Sequence, residues 1–264
     1  MSVTFTELLG GLRENETGDL AVTIPESWMQ GRTTYGGLSA ALCLAAVEKN
    51  HPELPPLRSA QINFIGPAGG PVTVSSKVLR QGRSVAYISV ELVGEQGIAT
   101  HAVFCFGAKR ESRLDRDFTQ SPSTPGPEES QSFFTPENRG PVFTSNFECK
   151  LAAGARPVSG SDKSEHFIWA RNRDTAAVGT TALLGLADMP PPAVLPMFKE
   201  FAPISSMTWM LNFLDDEPST RDGWWLMRSA AEHAKDGYSS QDMQVWNTDM
   251  KLVITGRQNV AIFY

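Results

Sequence analysis

Small and apolar residues fill nearly every position from 36 to 47, with Leu38, Ala41, Leu42, Ala45 and Ala46 at helical spacing. A helix that is apolar almost all round is one buried on every side. Downstream the period shortens to two. Ala60, Ile62 and Phe64 alternate with Gln61 and Asn63, which predicts a half-buried strand. Val72, Val74 and Val78 mark a second strand, its apolar row broken by Ser76, and Ala86, Ile88, Val90 and Leu92 mark a third. Gly94-Glu95-Gln96-Gly97 is the turn into a fourth strand over 98–106.

The same succession returns further along. A helix is expected over 174–187, then a strand in which Met207, Trp209, Leu211 and Phe213 alternate, then apolar segments at 224–231, 239–245 and 252–263. Between the two runs, residues 107–141 are dense in Pro, Ser and charge with neither period, the composition of a linker. Gln61-Ile62-Asn63-Phe64-Ile65 lies on Met210-Leu211-Asn212-Phe213-Leu214 at an offset of 149. Gly82 lies on Gly237, and Ala99-Thr100 on Ile254-Thr255, both at an offset of 155. The polar run from Asp215 to Asp222 accommodates the growth in offset. Gly37-Leu38-Ser39-Ala40-Ala41-Leu42 likewise matches Gly179-Thr180-Thr181-Ala182-Leu183-Leu184. Matches in one order imply an internal duplication, residues 1–106 and 142–264, joined by 107–141. One helix followed by consecutive antiparallel strands, twice, is an α+β arrangement with each helix packed on a sheet.

Composition narrows the function. The 264 residues are 41% apolar, and Lys+Arg 23 against Asp+Glu 29 gives a net charge of −6. That is a folding composition without the basic footprint of a nucleic-acid binder. No apolar run reaches the roughly 18 residues of a membrane helix. The first residues lack a basic stretch ahead of an apolar one, so no secretory signal is read and a cytoplasmic location is expected. Cys43, Cys105 and Cys149 lie far apart without CxxC spacing, and His51, His101, His166 and His233 form no HxxxH or HxH pair. Neither a disulfide framework nor a structural zinc is expected. There is no GxSxG elbow for a serine hydrolase.

The motifs Tyr35-Gly36-Gly37-Leu38-Ser39-Ala40-Ala41, Asn63-Phe64-Ile65-Gly66-Pro67, Val78-Leu79-Arg80-Gln81-Gly82-Arg83-Ser84 and Ala99-Thr100-His101-Ala102-Val103-Phe104-Cys105-Phe106-Gly107 resemble, in that order, the acyl-CoA thioesterase II family. The resemblance implies a tandem (double) hotdog fold, each half a long apolar helix wrapped by a curved antiparallel sheet. It implies hydrolysis of acyl-CoA without metal or cofactor, and association into a homodimer or larger assembly. It also implies a water-holding Asp, Ser or Thr, and Gln in the second half. Leu186-Ala187-Asp188-Met189-Pro190 matches the Asp context, Pro203-Ile204-Ser205-Ser206-Met207-Thr208 the hydroxyl, and Val253-Ile254-Thr255-Gly256-Arg257-Gln258 the Gln. The implied catalytic residues are therefore Asp188, Ser206 and Gln258. Thr208 and Asn259 stand where many relatives carry acidic residues. Alternation is expected to place Ser206 on the strand face opposite Met207, Trp209 and Leu211.

These residue types suit thioester hydrolysis. A carboxylate can take the proton of an attacking water, worth roughly 10²–10⁴-fold. A hydroxyl and an amide can orient that water, and backbone N–H groups at a buried helix N-terminus can polarise the carbonyl. Two other readings use the same fold: a non-catalytic acyl-CoA or acyl-binding module, and a hydratase or dehydratase built on a His–acid pair, for which His101 is the candidate.

Overall fold

The computed structural model describes residues 3–136 and 139–264. The expected apolar segment becomes helix α2, Gly36–Asn50, in which Leu38, Leu42, Leu44 and Val47 are fully buried. Each such side chain contributes about 1.5–3 kcal/mol by leaving water. A short α1, Phe5–Gly10, precedes it, and α3, Gly179–Ala187, is its counterpart in the second half. The α3 helix starts later than the pattern suggested. Asp174 is held in a turn instead, accepting from the backbone N–H of Ala176 and from both the backbone and hydroxyl of Thr6. Gly179 then has φ of 82°, a conformation that favours glycine and starts the helix afresh.

The longer strands are β1 Leu20–Ile24, β2 Leu57–Phe64, β3 Gly70–Gln81, β4 Val85–Gly94 and β5 Gly97–Gly107 in the first half. In the second they are β6 Phe147–Gly154, β7 Glu165–Asn172, β8 Ile204–Phe213, β9 Trp225–Lys235, β10 Tyr238–Trp246 and β11 Leu252–Ile262. Together with the two-residue strands Arg13–Glu14 and Gln131–Ser132 at its edges, they form one antiparallel sheet. Its central order is β1-β3-β4-β5-β2-β8-β11-β10-β9-β7, which reads the same from either end once the halves are equated. This is a tandem hotdog, with β2 paired to β8 at the junction.

The duplication can be located in that junction. Gln61 is opposite Met210, separated by the repeat offset of 149, while Ile62 faces Trp209 and Ala60 faces Leu211. Exchange of the halves therefore maps the ladder onto itself, and the pseudo-twofold axis passes through the Gln61–Met210 pair. The two helices pack against each other beneath the sheet. Tyr35, at the start of α2, donates its hydroxyl to the Gly185 carbonyl in α3 at 2.5 Å, and Thr181 of α3 donates to Glu48 of α2 at 2.7 Å. The helices thus run antiparallel, each N-terminus near the other's C-terminus. A Cβ on Gly37 would collide with the Gly185 carbonyl oxygen, so the close approach requires glycine there.

Past Gly107, which ends β5, the segment to residue 141 has no helix among its described residues and only the Gln131–Ser132 strand. It is nonetheless tied down: Phe133 is completely buried, and Trp169 donates its indole N–H to the Pro125 carbonyl at 2.8 Å. All three cysteines are free. No helix among the described residues is long and apolar enough to cross a membrane.

Candidate active site

Asp188 caps α3, where three prolines, 190–192, prevent the helix from continuing. Because the helices are antiparallel, this end of α3 meets the N-terminus of α2. The Gly37 backbone N–H donates to the Asp188 carboxyl. A Cβ on Gly36 would stand 2.8 Å from Asp188 Oδ2 and 3.0 Å from the Phe64 ring. The missing side chain is therefore what lets the carboxyl reach the helix end. The site is composite: the second half supplies the carboxyl, and the first half supplies the helix terminus it touches.

Gln258 lies on the inner face of β11 and is buried. Its Nε2 donates to Asp188 Oδ1 at 2.8 Å. Burial pushes the Asp188 carboxyl up to about 7, against the hydrogen bonds from Gln258 and from the Gly37 N–H, which favour the ionised form. The residue nevertheless keeps a partly exposed surface. A carboxyl enclosed by protein, on a residue that is itself only partly covered, is placed to exchange a proton with a single water. Tyr35 is the titratable neighbour; burial, then the Asp188 and Cys149 charges, push its hydroxyl well up, so it stays neutral.

Ser206 opens β8, as expected, but on the other face. The ladder shifts register between Ser206 and Thr208, so Ser206 pairs with Val260 and Trp209 with Gln258. Val260 and Gln258 are two residues apart and share the inner face, so Ser206 shares that face with Trp209. A β-bulge at Met207 and Thr208, both exposed, overturns the simple alternation. Among the described residues Ser206 makes no hydrogen bond with Asp188 or Gln258. The structure thus joins Asp188 to Gln258 and places Ser206 on the same inner surface beside them.

The pattern of the sequence missed Gln241. This residue, fully buried on β10 opposite Gln258, donates from its Nε2 to Gln258 Oε1 at 2.8 Å. Its own Oε1 accepts from the Ala193 backbone N–H, also at 2.8 Å. Further along the inner face, His166 on β7 is fully buried with neither ring nitrogen hydrogen-bonded, and burial pushes it down to about 4. His101 faces away from this site: its Nε2 is 2.9 Å from Ser89 Oγ on the outer face of the first half. Burial pushes the Cys43 thiol up to about 12 and raises Cys149 as well, which removes both as nucleophiles at neutral pH. No cluster of three His, Cys, Asp or Glu side chains suited to a metal occurs among the described residues. Two cavities lie elsewhere. One, of about 660 Å³, flanks the N-terminus of α3 near Arg171, Arg173 and Gly179; the other, of about 410 Å³, lies near Glu26, Arg32 and Glu95.

Comparison with known proteins agrees with the fold. The profile of the acyl-CoA thioesterase C-terminal domain matches residues 119–262, more than half of the chain. That of the N-terminal domain matches residues 24–107. The chain belongs to the acyl-CoA thioesterase family. The C-terminal profile begins at 119, inside the segment whose composition reads as linker. A hot dog fold protein of unknown function from Alicyclobacillus acidocaldarius superimposes with a TM-score of 0.85 at 22% identity, covering 98% of each chain. An acyl-CoA thioesterase II from Mycobacterium marinum gives 0.77 at 16% identity, over 99% of this chain and 98% of that one. At such identities these neighbours establish the fold. No curated protein matches the chain significantly.

Proposed function

We propose that this chain hydrolyses acyl-CoA thioesters with Asp188 as general base. The observation that carries the reading is a buried carboxyl, pushed up to about 7, seated on the N-terminus of α2 and hydrogen-bonded to Gln258. With a pKa of about 7 the carboxyl is half ionised at neutral pH, where a base both exists and retains enough basicity to act. A water beside the ionised carboxyl gives its proton to Asp188 as its oxygen bonds to the thioester carbonyl carbon. The tetrahedral intermediate then expels the thiolate, which recovers the proton from Asp188 and leaves as CoA. One Gln258 N–H is committed to Asp188, and the other is free to hold the water or the developing oxyanion. Ser206, on the same inner face, orients the water from the other side. The positive end of the α2 dipole favours negative charge at this point.

The decisive experiment is hydrolysis of short-, medium- and long-chain acyl-CoAs by the parent and by Asp188→Ala. Turnover by the parent and its loss in the variant is expected. A variant as active as the parent refutes Asp188 as base, and a parent inactive on every chain length favours the acyl-binding module. The family reading also includes a homodimer or larger assembly. Exposed Met207 and Met210 on the outer face at the junction supply apolar surface for it. Light scattering at micromolar concentration should exceed the 28.8 kDa of one chain, and a monomer mass overturns this part.

A further inference from the structure

We infer that Gln241 is a positioning residue: it locks the amide of Gln258 in the one orientation that presents N–H, rather than C=O, to Asp188. The inference rests on Asp188 acting as the general base. A primary amide has a donor end and an acceptor end of nearly equal size, so rotation by 180° exchanges them. Nothing within Gln258 itself selects one orientation. The selection comes from three hydrogen bonds in series, each 2.8 Å long: Ala193 N–H to Gln241 Oε1, Gln241 Nε2 to Gln258 Oε1, and Gln258 Nε2 to Asp188 Oδ1.

The first donor is a backbone N–H, which cannot reverse. Gln241 must therefore turn its oxygen to Ala193 and its NH₂ to Gln258, and Gln258 must in turn offer NH₂ to the carboxyl. The opposite polarity would set N–H against N–H at Ala193 and carbonyl against carboxylate at Asp188, with both amides buried. Unmatched buried groups of that kind cost about 1–3 kcal/mol each in general.

Ala193 is itself fixed. It lies in the loop 189–203, whose Val194, Leu195, Phe198 and Ala202 form a separate apolar cluster. The segment 158–161 holds this loop: Val158, Gly160 and Ser161 donate backbone N–H groups to Leu195, Phe198 and Pro196. The direction of the amide chain is thus set by the conformation of a packed loop, remote from the thioester.

Losing Gln241 frees Gln258 to present its carbonyl to Asp188, an arrangement that only a protonated carboxyl can satisfy. The other groups facing Asp188 do not replace the lost donor. Gly37 N–H is already engaged; Tyr35 is neutral and donates to Gly185; Ser206 and Trp209 carry no charge; and His166, elsewhere on the inner face, is neutral above about pH 4.

The test uses two variants of the full chain, each shown by circular dichroism and thermal melting to be folded. Gln241→Met keeps the shape and removes both hydrogen bonds. Gln241→Leu also removes both hydrogen bonds, with a different apolar shape and no charge. For both, the acid limb of the kcat/KM profile should move up by about one pH unit, with kcat at pH 7 lowered about 5-fold and KM unchanged. A merely structural role would lower stability and leave the acid limb in place. The ¹³C shift of the Asp188 carboxyl, followed against pH, should rise in midpoint with it and can be read even in a variant too slow to assay. Parent-like limbs and midpoints in a folded variant overturn the inference. If Asp188→Asn also keeps parent activity, the general-base reading has failed; if Asp188→Asn is inactive while the Gln241 variants behave as the parent, only the role of Gln241 has failed.

Discussion

The two halves carry the same strands in mirrored order, yet their inner faces differ chemically at equivalent rungs. In the first half Ala60, Phe104 and Ile88 stand side by side across β2, β5 and β4. In the second, Trp209, Gln258 and Gln241 occupy the matching rung across β8, β11 and β10. The helices differ in the same sense. The α2 helix runs for fifteen residues and continues through Ala45-Ala46-Val47, whereas α3 stops after nine and ends on Asp188. The duplicated fold supplies two sheet-wrapped helices, and polarity was placed at one end of the antiparallel helix pair only. At the other end, beside Gly179, the nearest α2 acid is the exposed Glu48, bonded to Thr181. If Asp188 is the base, as proposed, neither half suffices by itself. The polar half holds the carboxyl, and the apolar half contributes the Gly36-Gly37 terminus on which it rests.

The contrast breaks most severely at the carboxyl. Asp188→Asn keeps the size and one acceptor oxygen, sets an NH₂ in place of the other, and cannot take a proton. Turnover should fall by roughly 10²–10⁴-fold with KM little changed, since the general base acts in the transition state. In the parent, kcat/KM should rise about tenfold per pH unit below pH 7 and level off above it, following ionisation of the carboxyl at about 7. A parent profile that is flat from pH 5 to 9 would remove Asp188 from the chemistry.

A pair of glycines sharpens the comparison with a smaller effect. Gly36→Ala pushes a methyl against Asp188 Oδ2 and the Phe64 ring, and neither can withdraw without shifting the site. A displacement of that kind costs turnover on the order of 100-fold. Gly179→Ala, at the start of the other helix, meets nothing within 4 Å but must adopt φ of 82°. Its cost is roughly 1–2 kcal/mol of stability, with kcat unchanged. Equal losses of turnover in the two variants would show that the two helix ends are equivalent in function, against the composite site.

How much of this was legible from the chain depends on whether a residue's role is local. The apolar character of α2 and the alternation of β2 and β4 are set by positions close in sequence, and the fold follows them closely. A bulge defeated the same reasoning. In β8 the register shift just after Ser206 changes its face, whereas Val78 stays in the inward row opposite Ile88 and is exposed only because it lies toward the end of β3. Asp174 was read as helical, yet its partner is Thr6, 168 residues away. Gln241 and His166 were invisible for a related reason: a polar residue in an alternating strand reads as facing solvent. Only the partners on β11 and in the loop 189–203 show that Gln241 faces inward. The motifs around Asp188 and Gln258 single them out as candidates, while the hydrogen bond between them is a product of the fold.

The smallest effect distinguishes the halves by stability and pH. The folded Asp188 carboxyl titrates near 7 rather than at its ordinary 3.8, so between those values the folded protein holds a proton that the unfolded chain has released. Stability from this group is therefore full below pH 4 and declines as pH rises to about 7. His166 acts in the opposite direction. Its folded value of about 4 lies below the ordinary 6.5, so its contribution is present above pH 6.5 and is lost as pH falls through 4. The two slopes oppose one another between pH 4 and 6.5, and the parent's own pH–stability curve hides both. The difference between Asp188→Asn and parent isolates the carboxyl. Urea midpoints at pH 4.5 and pH 8 should show the variant near the parent at the lower value. At the higher value it should be clearly the more stable of the two. Phe104→Leu, on the equivalent rung of the apolar half, removes packing without any proton, and its cost should be the same at both pH values. A pH-independent difference for Asp188→Asn would mean that the carboxyl titrates at its ordinary value, and the chemical distinction between the two inner faces would lose its basis in charge.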